Sequence, residues 1–281
     1  MARHQIVLAP PHREATGQGR VTWIGTATVL VEAGGFRVLT DPNFLRQGDR
    51  VALGGGLRST RLTNPSAERA DLLPLDRGGA TTTVTLRRGG GGPAVAPHAD
   101  RHDRPRRPQA HPPGFTRTRP VRTWEQVEVV GPDATLTITA LPAKHAPQPL
   151  RTLLPPVNGS MLDFRTGGSS YLLYVTGDTL LHDELSEIPR RHPGIDLALV
   201  HLGGTRVLGV LLTMDDEQGA EALELLDPDA AVPIHHGDYS VFRSPLADFD
   251  RAVAGRHLRT AIHRLERGGT FPFRFGPGEP A

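Results

Sequence analysis

Four acidic or imidazole side chains share one setting in the sequence: each stands where a β-prone run stops. Asp41 follows FRVLT, His145 follows LTITALPAK, Asp178 follows YLLYVTG, and His235 follows AAVPI. Open sheets place their ligands at strand tips. Imidazole and carboxylate donors suit zinc, manganese or iron. Taken singly, a strand-end Asp is a common turn former, and a strand-end His is commonly a hydrogen-bonded core or surface residue. Four in series point to one cation pocket. Cysteine is absent, which removes thiolate ligands and disulfides and leaves any metal to the 13 histidines, the carboxylates and backbone oxygens. His201 ends the run IDLALVH and is a further candidate for the same cleft. His236 stands in for His235 if the register is off by one.

The runs carrying these residues must be strands for such a pocket to form. Two β-branched runs, 27–32 and 36–40, flank Gly34-Gly35, a hairpin signal, and a further run at 21–24 precedes them. Pro42 stops the second run, because proline cannot continue a ladder. Another alternating pair spans 125–130 and 134–141 around Gly131-Pro132-Asp133. Residues 169–176, 195–201 and 230–235 are nearly continuous apolar runs, as strands buried on both faces require. Between the last two, Asp216-Glu217-Gln218 opens a helix with Ala220, Leu223 and Leu226 on one face. Thr213 is the expected N-cap, with Asp216 in the capping-box slot. A second helix is expected over 245–255 and a closing strand over 270–275. Residues 45–77 read as a loop-rich excursion around Gly54-Gly55-Gly56, and the first 18 residues as disordered or loosely packed. Hairpins first, then strands alternating with helices, indicate a mixed sheet or two sheets covered by helices.

The chain has 281 residues, the size of one large domain or two small ones. Its net charge of +2 is too weak to argue for a nucleic-acid partner. Arg101, Arg104, Arg106 and Arg107 make a local basic run, but no aromatics interleave with it, so nucleic-acid binding is the least favoured reading. No run of 18 apolar residues exists, and the N-terminus lacks the continuous apolar stretch of a secretory signal. A soluble, cytoplasmic protein without a membrane span is expected. The oligomeric state is left open.

One stretch fits none of these elements. Residues 78–113 hold six Gly, six Pro and six Arg, and no Ile, Phe, Tyr, Trp or Met. No helical or strand period survives there, and so long a structureless run inside a domain is anomalous. It reads as a flexible arginine-rich insertion, as a basic arm, or as a stretch translated out of frame. Lys144 is the sole lysine, and Gly, Pro, Ala and Arg abound, the bias of a GC-rich gene.

The strings WIGTATVLVE–GGFRVLTDPNF, PAKHAP–LLPPVNG, YVTGDT, HLGGT–TMDDEQG and PIHHGDYSVFRSP resemble the metallo-β-lactamase-fold hydrolases. The likeness is strongest to the branch holding ascorbate-6-phosphate lactonase and the N-acylphosphatidylethanolamine phospholipase D type enzymes. It covers about residues 20–77 and 114–273. It implies an α/β fold, a four-layer αββα sandwich of two mixed sheets, as a single domain over 1–281 with its core at about 19–275. It further implies that Asp41 orients ligand histidines, that His145 binds a first metal, that Asp178 bridges two, and that His235 binds the second. The implied cofactor is zinc, one or two ions, with manganese or iron(II) as alternatives. The implied partner is a small-molecule ester, lactone or phosphodiester, cleaved by metal-activated water.

The family's H-x-H-x-D-H motif, which supplies most of the ligands, belongs between the Asp41 and His145 positions. Here that place is filled by 77–113, where His98, His102 and His111 lack the spacing. One choice of synonymous codons for 79–85, read one base back, gives Ser-His-His-His-Gly-Asp, which contains H-x-H-x-D. One such choice for 86–90, read one base forward, gives Phe-Asp-Glu-Val. The expectation is therefore a metal-dependent hydrolase impaired in this chain, with weak metal retention. The alternative is a non-catalytic binding protein on the same scaffold.

Overall fold

A computed structural model describes residues 3–7, 17–54, 57–72, 81–84, 94–97, 118–148, 150 and 157–277. Two large sheets dominate. The first hairpin joins β2 (Gln18–Gly25) to β3 (Thr28–Ala33), and β3 returns through Gly34-Gly35 to β4 (Phe36–Thr40). Gly34 and Gly35 both take positive φ, 56° and 79°, which a two-residue turn matched to strand twist demands. β4 then pairs in parallel with β5 (Thr81–Val84), β5 with β6 (Ala94–Pro97), and β6 with β7 (Thr118–Val121). Four-residue strands at 81–84 and 94–97 correct the expectation that 78–113 carries no strand. The rest of that segment, with His98, His102, His111 and its arginine run, lies outside the described residues.

The second sheet begins with β1 (Arg3–Val7), which runs parallel to β8 (Gln126–Val130). Part of the N-terminal segment is thus paired backbone, not the loose end expected. β8, β9 (Ala134–Leu141), β10 (Gly159–Thr166) and β11 (Ser169–Val175) follow as antiparallel neighbours. From β11 onward the pairing turns parallel, to β12 (Leu197–His201) and β13 (Ala230–Ile234). This sheet has nine strands and the other seven, among the described residues. β14 (Thr270–Arg274) pairs with β2 as the closing strand expected from its alternation.

Alternation along each strand sends one set of side chains between the sheets. Val21, Trp23, Val29, Val31 and Val38 meet Val127, Leu136, Ile138, Phe164, Leu173 and Val232 there. Burying each such side chain stabilises the fold by about 1.5–3 kcal/mol. On the outer face of the nine-stranded sheet, Met161, Tyr174, Ala198 and Val200 pack under three helices, α2 (Glu187–Arg191), α3 (Asp216–Leu226) and α4 (Leu246–Ala254). On the outer face of the other sheet, Ile24, Leu30 and Leu39 meet Leu72. Leu72 ends a four-residue helix, α1 (Arg69–Leu72). The layers are those of an αββα sandwich, with the second helical layer reduced to that one turn among the described residues.

Two local expectations are corrected. The N-cap of α3 is Asp215, whose carboxylate accepts the Gln218 amide; the Thr213 hydroxyl instead accepts the Thr205 amide. The stretch 45–77 holds a strand pair, Arg50–Gly54 with Leu57–Thr60, besides the short helix.

Candidate metal centre

β11, β12 and β13 lie side by side in parallel, so their C-terminal tips open on one rim. Val175 pairs with Leu199, and His201 pairs with Ile234. Asp178 follows the tip of β11, His201 ends β12, and His235 follows β13. Neighbouring strands stand about 4.8 Å apart, so this register alone gathers the three side chains. Their ligand atoms all lie within 4.8 Å of one another. His201 Nδ1 is 3.2 Å from Asp178 Oδ1, and His235 Nε2 is 3.3 Å from the same oxygen. The two rings stack with centroids 5.1 Å apart.

All three residues are buried, with exposures of 7%, 1% and 5% for Asp178, His201 and His235. A carboxylate so far from water requires a positive or hydrogen-bonding partner. Two imidazoles meet that need, and so would a cation. His201 Nε2 is buried and makes no hydrogen bond among the described residues. Two imidazoles and a carboxylate are the donor set of a zinc, manganese or iron(II) site. The residues present therefore fit a divalent cation. Gly203 packs against this cluster: a Cβ there would lie 3.0 Å from both His235 Nδ1 and His235 O. A side chain there requires the imidazole, the His235 carbonyl or the Phe242 ring to give by a few tenths of an ångström.

The remaining candidates fall outside the trio. His145 is buried, and its Nδ1 lies 2.9 Å from the Leu212 carbonyl. That contact makes Nδ1 the donor and leaves Nε2 with the lone pair, the nitrogen able to accept or ligate. Its loop is sewn to the Asp178 loop: the Lys144 amide donates to Thr179 Oγ1, and the Leu180 amide to the Lys144 carbonyl. Asp41 sits at φ 33° just after β4, where its carbonyl accepts the Thr28 hydroxyl. His236 packs on Trp23 with ring centroids 5.0 Å apart, and burial holds its imidazole below the usual pKa.

Sequence reasoning missed the polar cluster behind His235. Arg61 and Asp238 have fully buried side chains. Asp238 accepts from the Thr26 amide, the Thr63 hydroxyl and Arg267 Nη1. Arg61 donates to the Thr63 carbonyl and to Thr26 Oγ1, and its guanidinium lies 5.1 Å from the centre of the Tyr239 ring. The one available signal was Asp238 itself, three residues past His235. Arg61 stood in a stretch read as loop.

Comparison with known proteins agrees with this fold. Residues 70–236 match the family model described as beta-lactamase superfamily domain. A protein of Methanopyrus kandleri named a metal-dependent hydrolase is 25% identical over 260 residues, spanning 90% of this chain and 99% of that protein. One of Carboxydothermus hydrogenoformans with the same description is 34% identical over 96 residues, 34% of this chain and 38% of that protein. Among solved structures, an isothiocyanate hydrolase from Delia radicum gut bacteria superposes with a TM-score of 0.68 at 16% identity. That alignment covers 91% of this chain and 99% of the other, and it bears on the fold alone.

Proposed function

Because the chain belongs to the beta-lactamase superfamily, we propose that it is a metal-dependent hydrolase whose centre is built on Asp178, His201 and His235. The observation that carries this reading is the meeting of three buried donors within 4.8 Å at the tips of adjacent parallel strands. His145 is the proposed fourth donor, reaching in from the loop tied to Thr179 and Leu180. Asp41 is the proposed orienting carboxylate. The proposed cofactor is one or two zinc ions, with manganese or iron(II) as alternatives. The proposed substrate is a small ester, lactone or phosphodiester.

Bound there, a divalent cation supplies Lewis acidity that polarises a substrate oxygen and brings a water's pKa down to about 7. The chain's own part is to hold the donors dry and in register. Asp178 presents one oxygen to both imidazoles. His201 turns Nδ1 to that carboxylate, and its second ring nitrogen, which makes no hydrogen bond among the described residues, is the one left to meet a cation or a proton. No helix among those residues is long and apolar enough to cross a membrane, which suits the cytoplasmic location proposed here.

The chain lacks the H-x-H-x-D-H string, so activity well below that of an intact member is expected. Purified protein should take up zinc weakly and hydrolyse a p-nitrophenyl ester, a lactone or bis-p-nitrophenyl phosphate slowly. Zinc titration followed by these assays tests the reading. Failure to bind any divalent cation would leave the second reading, a non-catalytic binding protein on the same scaffold.

A further inference from the structure

His235 takes φ 59°, in the left-handed region that a non-glycine residue enters at a cost. The residue that meets it, Thr26, is also left-handed, at φ 52°. The His235 amide donates to the Thr26 carbonyl at 2.8 Å, and the Trp23 indole donates to the same oxygen at 2.9 Å. Thr26 is in turn gripped from its other side. Its amide donates to Asp238 Oδ2, and its hydroxyl accepts from Arg61. Asp238 returns to the same chain segment as His235 and is further tied by Thr63, by Arg267 and, through its carbonyl, by the Leu62 amide. A closed circuit thus runs from His235 through Thr26 to Asp238, three residues beyond His235.

We infer that Asp238, seconded by Arg61, is a positioning residue that holds the His235 backbone in its strained conformation and so aims the imidazole at Asp178. The inference rests on the proposed metal centre, but its first consequence does not need a metal. Two left-handed residues facing each other persist only where surroundings over-determine them. The Asp238 carboxylate supplies that constraint, since it is the sole acceptor found for the Thr26 amide among the described residues. Partners of ligating residues tune metal sites by about 10–100-fold in affinity, and this circuit acts on a ligand through backbone alone.

Hydrogen exchange and cobalt titration on the full chain test the inference. In metal-free Asp238→Ala, which leaves the Thr26 amide without its acceptor, the His235 amide should lose protection by about tenfold or more relative to the central amides of β12 and β13, which report global opening. Equal loss at all of these amides means a merely structural role and overturns the inference. Arg267→Gln removes only the outward, partly exposed donor to Asp238; it should fold and show a smaller shift of the same kind. Should Asp238→Ala not fold, an Arg267→Gln protein with unchanged relative protection overturns the inference. Co2+ titration should then show binding weakened by about 10–100-fold in Asp238→Ala, with altered visible bands. If wild type binds no Co2+ while the selective loss of protection stands, the metal-centre reading fails and the positioning role does not.

Discussion

One carboxylate oxygen serves two imidazoles in this protein: Asp178 Oδ1 faces both His201 Nδ1 and His235 Nε2. Asp178→Asn keeps the shape and an acceptor oxygen but removes the charge that would hold a cation. The expected result is metal affinity lower by at least about 100-fold with stability changed by no more than about 1 kcal/mol, because a buried charge is removed rather than stranded. Isothermal titration beside urea unfolding separates the two effects; unaltered zinc affinity would rule the residue out as a ligand. Asp196, at the foot of β12, shows the opposite role of a carboxylate. Burial, more than its Asp229 and Asp163 neighbours, raises its pKa, although the Leu172 amide at 2.6 Å works against that rise. The folded state therefore holds the proton more tightly than the unfolded one. The stability this group contributes is fully present below its ordinary pKa of about 3.9 and lost as pH rises through the raised value. Asp196→Asn keeps an acceptor for Leu172 and abolishes the titration. Unfolding free energies across the acid range should show the variant gaining on wild type as pH rises, then a plateau; a difference independent of pH would refute the assignment.

At the scale of elements, the capping of α3 turns on two candidates, and the structure selects Asp215 over Thr213. Asp215→Ala should cost about 1 kcal/mol in urea unfolding, the usual penalty for an emptied N-cap. It also loses the half-exposed pair with Arg206, which adds little. Had Thr213 been the cap, Asp215→Ala would cost only what a surface residue does. The start of α3 was legible to within a residue, because its apolar spacing spoke clearly, but two polar residues competed for the cap and only the backbone path decides between them. The strands β11, β12 and β13 were legible because burial on both faces makes them uniformly apolar. That is why Asp178, His201 and His235 could be placed at their tips before any coordinates. β10 was not read, since Asp163 and Arg165 interrupt its apolar pattern at one end. The Arg61–Asp238 contact joins residues 177 positions apart in sequence, and no local pattern announces a pairing that only the closed sandwich creates.

For the whole molecule, the telling feature is where β5 lies. It pairs in parallel with β4 along Arg37↔Thr81 to Thr40↔Val84, beside the strand that delivers Asp41. A strand in that slot is followed, in the family this chain resembles, by the H-x-H-x-D-H string. Here the slot is filled by Thr81–Val84, from the same stretch that one choice of synonymous codons, read one position back, turns into Ser-His-His-His-Gly-Asp. The composition of 78–113 made the segment illegible as structure because Gly, Pro and Arg carry no period. That is the expected signature of GC-rich codons read out of phase, and we propose that this is what the segment is. Sequencing the gene across codons 75–115 should reveal an alternative frame with a histidine-rich motif. A chain rebuilt in that frame should retain zinc through gel filtration where the present one loses it. It should also melt a few degrees higher, by about 2 °C for each kcal/mol regained in a domain of this size. If no frame encodes such a motif, the insertion is genuine, and the centre must work with Asp178, His201, His235 and His145 alone.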